Sequence, residues 1–315
     1  MLIFVQIAAY RDPQLLPTIN SMLQNARTPE QLRICICRQY HPDDKFDNVD
    51  IFRKDNRFTI IDVFYADSKG VCWARNLIQQ HYNGEDLTLQ IDSHMRFAKD
   101  WDHKLTLMLA SLQSTGIRKP LLTGYPPAFE PDIPFSTETP VAPSYMQIEG
   151  FTSAGIPTFI AKRLTDWQHL SAPIPARFYS AGFCFTVGIF CTEVPHDPDI
   201  YYIGEEISIA VRAYTHGYDL FHPHQTVIWH QYERKGVNNH WDDHTLWRLK
   251  DQSSFEVVRN LLTGKYGKEY QYGPGTERSL AEYERYVEVD FQKQLLHLNT
   301  ATGAPLKPRY ARCNI

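Results

Sequence analysis

The first part of the chain, up to Gly124, alternates between short apolar runs and stretches in which apolar residues recur at helical spacing. These runs predict strands over Leu2–Ala9, Leu32–Arg38, Phe58–Tyr65, Leu87–Ile91 and Leu121–Gly124. Helical spacing predicts amphipathic helices over Leu15–Ala26, Val71–His81 and Trp101–Leu112. Strands that alternate with helices through short connections favour an α/β fold with a mainly parallel central sheet, covered by helices on both faces.

Beyond Gly124 the pattern is less regular, and prolines predict a long loop over Pro126–Pro143. Further strands are predicted over Thr158–Ala161, Ala181–Gly188, Asp219–His222 and Gln225–His230, and helices over Glu205–Thr215, Thr245–Leu262 and Glu277–Leu298. A polar tail, Asn299–Ile315, is predicted to be extended. Because polar residues dominate after His230, we expect an α/β domain over residues 1–232. A helical C-terminal extension and tail, residues 233–315, would pack on it.

Composition narrows the class of protein. A net charge of −4 argues against nucleic acid as the main partner, whereas a phosphate-bearing ligand is compatible with it when a metal ion neutralises the phosphates locally. No apolar run approaches the roughly 18 residues that span a membrane, and Leu2–Ala9 lacks the basic flank of a signal peptide. The six cysteines include no C-x-x-C pair. Reduced thiols and a cytoplasmic location are therefore expected.

The segment QIDSHMRF, at the end of the fourth predicted strand, holds the main candidate for chemistry. Ligands bind open α/β sheets at the carboxyl ends of the strands, where Asp92 lies. In an extended segment, Asp92 and His94 point to the same side because they are two residues apart. A carboxylate with an imidazole suits Mn²⁺, and an open metal site binds the phosphates of a leaving diphosphate. The alternative is a turn or helix cap at Asp92 and a surface position for His94.

Three more polar residues are candidates for the same cleft. Arg75 lies in the predicted helix that precedes the strand ending at Asp92. An arginine in this cleft would contact phosphate or hold an aspartate. An exposed helix face is the simpler explanation for Arg75. Glu205 and Glu206 begin a helix, where acids interact favourably with the helix dipole. In a cleft these carboxylates would instead hydrogen-bond sugar hydroxyls or accept a proton.

His230 follows a short predicted strand between aromatic residues and is a candidate third metal ligand. His222 and His224 compete for that role, and a histidine buried in the core with its hydrogen bonds satisfied is the structural alternative.

The motifs of several other enzyme classes are absent from the sequence. The chain has no H-E-x-x-H, no G-x-x-x-x-G-K-[ST] and no G-x-S-x-G, which argues against zinc hydrolases, P-loop NTPases and α/β-type serine hydrolases.

Several segments, taken in order, resemble a known enzyme family: FVQIAAYRDP, GVCWARN, IDSHMRF, SAGFCFTVG, IGEEISIAVRAYTHGYDLFHP and VIWHQY. They resemble the cytoplasmic hydroxyproline-polypeptide α-N-acetylglucosaminyltransferases, and they are also similar to the polypeptide N-acetylgalactosaminyltransferases. The resemblance covers residues 1–232 and implies the GT-A fold of nucleotide-diphospho-sugar transferases. The region after Gln231 has no counterpart in the resemblance, which leaves the acceptor open because acceptor contacts often come from such variable parts.

The resemblance implies roles for individual residues. The DXD-like metal motif corresponds to Asp92 and His94, and the late metal histidine to His230, as ligands of Mn²⁺ or Mg²⁺. Contacts to the UDP-sugar are implied for Ala9, Arg11, Arg75, Ser93, Ala181 and Gly182. The candidate catalytic residues are Glu205, which would hold donor-sugar hydroxyls, and Glu206, which would face the acceptor.

The implied activity is retaining transfer of N-acetylglucosamine from UDP-N-acetylglucosamine to a hydroxyl acceptor, on a protein at hydroxyproline, serine or threonine. Front-face attack lets the leaving phosphate take the acceptor proton, so no dedicated base is required. Two alternatives stay open: the same fold in bacterial surface or capsular glycan synthesis, and a non-catalytic nucleotide- or carbohydrate-binding protein. His240, Trp241 and Trp247 are candidates for an acceptor groove, although helix packing is the simpler explanation for them.

Overall fold

The structure, a computed structural model, describes residues 1–267 and 269–306. Its strands are β1 Ile3–Tyr10, β2 Leu32–Tyr40, β3 Phe58–Phe64, β4 Leu87–Asp92, β5 Met95–Phe97, β6 Pro120–Thr123, β7 Ser144–Phe151, β8 Pro157–Arg163, β9 Ile174–Pro175, β10 Phe183–Val187, β11 Asp219–His222, β12 Ile228–His230, β13 Val289–Asp290 and β14 Leu295–Leu296. Its helices are α1 Leu15–Asn25, α2 Val71–Gln79, α3 Trp101–Ser114, α4 Phe190–Glu193, α5 Glu205–Thr215, α6 His240–Asp243, α7 Trp247–Leu262, α8 Leu280–Val287 and α9 Leu298–Ala301. Across these described residues, no helix combines the length and the apolar character that crossing a membrane requires.

An eight-stranded sheet in the order β3-β2-β1-β4-β10-β6-β11-β9 forms the centre of the molecule. The first four strands of this order are parallel, as are β6 and β11, which confirms the predicted α/β fold with a mainly parallel sheet. By contrast, β10 runs antiparallel to both of its neighbours. Since Phe183 pairs with Ile91, the two residues before β10 lie beside Asp92 at the end of β4.

Helices cover both faces of this sheet. Side chains of β1 alternate between the faces. Val5 and Ile7 are fully buried in a core with Ile19 of α1 and Trp101 of α3. Phe4 faces the opposite side and packs in a second core with Ile78 of α2. Burial on both faces explains why β1 is apolar almost without interruption, instead of alternating between apolar and polar residues.

The C-terminal region departs from the predicted elements. The helix predicted over Glu277–Leu298 begins at Leu280 and ends at Val287, where Glu288 adopts a left-handed φ of 57°. A short hairpin of β13 and β14 follows. Residues 299–301 are helical instead of extended, and residues 307–315 of the predicted tail, with Cys313, lie outside the described part. α7 and α8 contribute to one core with α5, and the domain boundary after residue 232 stays a prediction.

Candidate active site

A cavity of about 870 Å³ opens at the carboxyl ends of β1 and β4, a volume typical of small-molecule sites. Nine residues selected from the sequence line it: Arg75, Asp92, Ser93, His94, Ala181, Gly182, Glu205, Glu206 and His230. The fold therefore brings together side chains from the ends of separate strands and the beginnings of α2 and α5.

A two-stranded ribbon beside the main sheet positions the two histidines. β12 pairs antiparallel with β5, which places His230 opposite Met95 and next to His94. The two imidazole rings meet edge to face with centroids 4.6 Å apart, and His230 Nε2 lies 3.1 Å from Asp92 Oδ2. Ligand atoms of Asp92, His94 and His230 all lie within 4.8 Å of one another. The sequence did not predict β5, because a three-residue strand is too short to show a periodic pattern.

Asp12 is a site residue that the sequence analysis missed. Its Oδ2 accepts hydrogen bonds from His94 Nδ1 at 2.7 Å and from Ser93 Oγ at 2.5 Å. Burial would raise the pKa of Asp12, but the hydrogen bond from His94 and the nearby Arg234 charge outweigh it and give a pKa of about 2. Because Nδ1 donates to this carboxylate, the Nε2 lone pair of His94 is available to a metal ion.

The side chains of Asp92, His94 and His230 could hold a divalent cation such as Mn²⁺. One carboxylate and two imidazoles form the mixed oxygen and nitrogen set that such an ion accepts. Burial would raise the pKa of Asp92, but the His230 hydrogen bond and the Arg75 charge outweigh it, so the pKa lies well below its usual range. Burial also lowers the pKa of His230, which favours the neutral imidazole that binds metals.

Arg75 joins the two main carboxylates of the site. Its guanidinium donates to Asp92 Oδ1 at 2.6 Å and, through the other terminal nitrogen, to Glu205 Oε1. Arg75 is buried rather than on an exposed helix face. Gly70, just before α2, has a φ of 121°, and a Cβ there would lie 2.8 Å from the Tyr201 ring. A glycine is therefore required for α2 to start where it presents Arg75 to the cavity.

Two small residues before β10 separate Asp92 from Glu206. A Cβ on Gly182 would lie 2.8 Å from Asp92 Oδ2, so a side chain there would displace that carboxylate. The Ala181 backbone N–H donates to Glu206 Oε1 at 3.1 Å, and the Tyr125 hydroxyl donates to Oε2 at 2.6 Å. Burial raises the pKa of Glu206 to about 7, against the lowering effect of these hydrogen bonds. Glu206 is therefore partly protonated near neutral pH.

The side chains that the end of the first strand turns to the cavity are not those of Ala9 and Arg11, which the resemblance assigns to donor contacts. Ala8 and Tyr10 line the cavity, whereas Ala9 is buried in the core on the opposite face of the sheet. This follows from the alternation of side chains along β1. Arg11 is not part of the described cavity wall. Its guanidinium forms ion pairs with the carboxylates of Asp44, at 2.7 Å, and Asp243, at 2.8 Å.

Arg234 is a second residue that the sequence analysis missed. It lines the cavity, and its Nη2 lies 3.4 Å from Asp12 Oδ2. Its Nε is buried without a hydrogen-bond partner among the described residues. Arg234 follows the late histidine in HQYER, and its position four residues after His230 was the available signal.

The competing histidines lie outside the ligand cluster. His222 is fully buried and lies with Nδ1 2.8 Å from the Thr123 carbonyl, while its Nε2 accepts from the Met146 N–H at 3.2 Å. It is a satisfied core histidine. Over residues 1–267 and 269–306, neither His222 nor His224 joins a group of potential metal ligands.

Two of the three C-terminal aromatic candidates reach the cavity. His240 and Trp241 line its wall. His240 Nε2 lies 2.8 Å from Ser68 Oγ, and its Nδ1 lies 2.5 Å from the Tyr201 hydroxyl. Trp247 packs on Trp241 with ring centroids 6.4 Å apart. The segment after residue 232 therefore closes one side of the cavity.

Comparison with solved structures shows where this fold occurs. A crystal structure of GalNAc-T7 with UDP, GalNAc and Mn²⁺ matches 98% of this chain at a TM-score of 0.58 and 14% identity, over 59% of that chain. A crystal structure of S. aureus TarS matches 93% of this chain at a TM-score of 0.51 and 11% identity, over 43% of that chain. The chain thus spans less than two thirds of either structure. At these identities the likeness shows the fold alone, the GT-A fold.

A comparison at the level of sequence gives the family. No curated protein sequence matches the chain. A family model described as Glycosyltransferase (GlcNAc) matches residues 2–53 and 45–293, which include the whole cavity wall. Because these two matches together cover most of the 315 residues, the chain belongs to the Glycosyltransferase (GlcNAc) family.

Proposed function

We propose that the chain is a retaining, metal-dependent glycosyltransferase that moves N-acetylglucosamine from UDP-N-acetylglucosamine to a hydroxyl group on a protein. One observation carries the proposal: the ligand atoms of Asp92, His94 and His230 converge within 4.8 Å in the wall of the cavity. Arg75 connects this cluster to Glu205, so a metal site and a polar sugar site would adjoin.

The diphosphate end of the donor would lie at the histidine cluster. Asp92, His94 and His230 would hold the divalent ion, which supplies positive charge to the leaving diphosphate. Mn²⁺ accompanies UDP in the GalNAc-T7 structure, which supports this choice of ion. We assign Arg234 to the phosphate oxygens, because its guanidinium Nε and Nη2 have no hydrogen-bond partner among the described residues. Its Nη2 forms an ion pair with Asp12 beside the cluster, and arginine binds phosphate in a bidentate manner.

The sugar end of the donor would lie between α5 and the residues before β10. Glu205, held by Arg75, would accept hydrogen bonds from sugar hydroxyls. Gly182 lies in the cavity wall without a side chain, which would let the sugar approach the backbone. The acceptor oxygen forms its bond to the anomeric carbon on the face from which the phosphate leaves, and its proton passes to the departing phosphate oxygen. Glu206 then orients the acceptor and is not required as a base.

The rim of the cavity supports a polypeptide acceptor. Tyr202, Tyr232 and Trp241 line the cavity and remain 54%, 47% and 39% exposed. Tyr202 and Trp241 contact each other with ring centroids 5.8 Å apart. Compared with the rest of a protein surface, aromatic residues are enriched in the surfaces through which proteins bind other proteins. We therefore place the acceptor segment along these three rings.

Calorimetry and a donor-hydrolysis assay test the proposal. UDP should bind in the presence of Mn²⁺ and bind more weakly with EDTA. UDP-N-acetylglucosamine should be hydrolysed slowly without acceptor, and faster than UDP-N-acetylgalactosamine. His230→Ala should abolish the Mn²⁺ effect, whereas His103→Ala, an exposed histidine on α3, should not. UDP binding by the His230→Ala variant that Mn²⁺ still strengthens as much as in the wild type would contradict the metal assignment.

The acceptor and the stereochemistry need separate measurements. Incubation of a cell lysate with labelled UDP-N-acetylglucosamine should place the label in protein, and label confined to glycan or lipid would contradict the protein acceptor. NMR of the purified product should show an α-linked sugar. A β-linked product would contradict retention.

A further inference from the structure

The strand β8 has a hydrogen-bonded neighbour on one side only. It pairs antiparallel with β7 in a two-stranded sheet, apart from the central sheet. The Leu164 N–H continues this ladder by donating to the Pro143 carbonyl at 2.9 Å. Backbone groups alternate in direction along an antiparallel ladder, so those of residues an odd number of positions before Leu164 point away from β7. They belong to Phe159, Ala161 and Arg163.

These outward backbone groups form a free sheet edge. Over residues 1–267 and 269–306, no backbone–backbone hydrogen bond outside the β7–β8 ladder involves Phe159, Ala161 or Arg163. Pro157, which has no N–H to donate, begins the strand, and proline in sheets is confined to such edge and end positions. A free edge is a template on which another extended segment can pair.

The free edge of β8 forms part of the cavity wall. Residues 157–161 all line the cavity. Neighbouring side chains of a strand point to opposite faces, so a strand that lines a cavity with one face contributes alternate residues, as β1 does with Ala8 and Tyr10. Five consecutive residues in the wall indicate that β8 meets the cavity along its edge. The Phe159 ring contacts that of Phe178, in the segment before β10, with centroids 4.7 Å apart. The edge therefore lies near the place proposed for the sugar.

Two exposed cations stand at the end of this edge. Lys162 and Arg163 are exposed, and neither forms an ion pair within the part of the chain that the structure describes. Opposite charges on neighbouring strands stabilise pairing, and like charges oppose it. A segment with carboxylates would therefore fit this edge. A second copy of the chain, paired through the same edge, would bring four cations to one interface.

We propose that the free edge of β8 binds the acceptor as an added strand: an extended, acidic polypeptide segment whose backbone pairs with β8 and whose carboxylates lie beside Lys162 and Arg163. The inference rests on the proposed function, in which the acceptor is a protein. Backbone pairing supplies affinity for many sequences, and the two cations supply the preference among them. Ala161 lines the cavity whereas Lys162 and Arg163 do not, so the acidic residues flank the modified one.

A peptide library tests the acidic preference. Synthetic peptides with a central serine, threonine or hydroxyproline and randomised flanks are incubated with UDP-N-acetylglucosamine and Mn²⁺, and the modified peptides are sequenced by mass spectrometry. Aspartate and glutamate should be enriched on one side of the modified residue. The double variant Lys162→Glu, Arg163→Glu should lower the ratio of kcat/KM for acidic to basic peptides about tenfold. Its donor hydrolysis without peptide should match the wild type, because neither residue lines the cavity.

The matched control is the double variant Lys54→Glu, Lys99→Glu. Both residues are exposed, neither lines the cavity, and the change in net charge is the same. This variant should keep the acidic preference of the wild type. The comparison separates a local contact at β8 from the effect of overall charge.

N-methylation of the peptide tests the backbone pairing. N-methyl groups are introduced one residue at a time in the acidic flank of the most rapidly modified peptide. Only every second N–H of an added strand would face β8. The kcat/KM of transfer should therefore fall at least about threefold at alternate positions, as expected for loss of one hydrogen bond, and change little at the positions between them.

Four results would overturn the docking of the acceptor on β8. These are no acidic preference in the wild type, an acidic preference that survives the Lys162→Glu, Arg163→Glu reversal, N-methyl effects without alternation, and hydrolysis of UDP-N-acetylglucosamine without modification of any peptide. Protection of residues 157–163 from hydrogen exchange by rising chain concentration instead of by peptide would assign the edge to a second copy. A chain that neither binds UDP nor hydrolyses the donor would instead overturn the proposed function itself.

Discussion

At the scale of single residues, the orientation of His94 depends on Asp12. Asp12→Asn keeps the shape of the side chain but removes the charge that accepts the Nδ1 proton of His94. Loss of such a partner of a metal-binding histidine lowers metal affinity about 10–100-fold. We expect that decrease for Mn²⁺ in the presence of UDP, measured by calorimetry.

The control for this prediction is Asp43→Asn, because the Asp43 side chain is 92% exposed. It should bind Mn²⁺ like the wild type. A thermal-denaturation curve in EDTA separates metal affinity from folding. Unchanged Mn²⁺ affinity in a folded Asp12→Asn variant would show that His94 is oriented without the carboxylate.

Glu206 gives a prediction about pH. Its pKa is about 7 in the folded chain, above the ordinary value of 4.5. The folded chain therefore binds this proton more tightly than the unfolded chain, and the associated stability is lost as pH rises from about 4.5 through about 7. Glu206→Gln removes the titration. In EDTA, its Tm relative to wild type should increase by several degrees between about pH 5 and about pH 8.

Glu138→Gln, at an exposed position, is the control for the pH series. Its Tm relative to wild type should not depend on pH. A constant difference between Glu206→Gln and wild type would mean that Glu206 is ionised at both pH values in the folded chain.

Sequence patterns identified some of these residues and not others. Asp92 and His94 could be predicted from the sequence because a buried strand ends at Asp92, which places both residues at the ligand-binding edge of the sheet. Ala9 was assigned to the site although its side chain faces the core, because the motif did not settle which face of β1 is turned to the cavity. Asp12 and Arg234 act through contacts between segments distant in sequence. Local spacing contains no information about such contacts.

At the scale of elements, Gly204 connects the start of α5 to α7. It has a φ of 100°, and a Cβ there would lie 2.6 Å from Val258 Cγ2. Gly204→Ala should cost about 2–4 kcal/mol, because a left-handed backbone strain and an overpacked contact add together. The shift should also displace Glu205 and Glu206, so donor affinity should fall. Chemical denaturation and calorimetry measure the two effects.

Gly116→Ala separates these contributions. Gly116 has a φ of 92°, with nothing within 4 Å of an added Cβ. This control should cost only the backbone strain, about 1–2 kcal/mol. Equal losses in the two variants would mean that the contact with Val258 relaxes without cost.

Element type was easier to predict than strand direction. Continuous apolar runs identified β1, β2 and β4 because strands buried on both faces lack polar alternation. The edge strand β3 is only partly buried, and its β-branched and aromatic residues identified it. The same pattern cannot show that β10 is antiparallel, since direction depends on the path of the chain between strands. The end of α8 at Val287 depends on the left-handed conformation of Glu288, a residue type that carries no turn signal.

At the scale of the whole molecule, the segment after β12 closes the cavity by contacts with the first strand. Tyr10 donates its hydroxyl proton to Asp243 at 2.8 Å, and Arg11 pairs with the same carboxylate. The α/β fold with a mainly parallel sheet was predictable from the first half of the chain, and the resemblance over residues 1–232 implied the GT-A fold. This closure was not, because the polar composition after His230 resembles an ordinary loop.

Asp243→Asn tests whether these contacts hold the cavity closed. It removes a charge from a largely buried pair with Arg11, whose side chains are 14% and 13% exposed. Loss of hydrogen bonds to a charged group costs about 1.5–3 kcal/mol, so the segment should open more than tenfold more often. Hydrogen exchange of peptides covering residues 231–247 should accelerate, and UDP should bind more weakly because His240 and Trp241 leave the wall.

Glu233→Gln, in an exposed pair with Lys235, is the control in the same segment and should exchange like the wild type. Faster exchange throughout the central sheet would indicate global destabilisation instead, and unchanged exchange would show that the aromatic contacts of His240 suffice for closure.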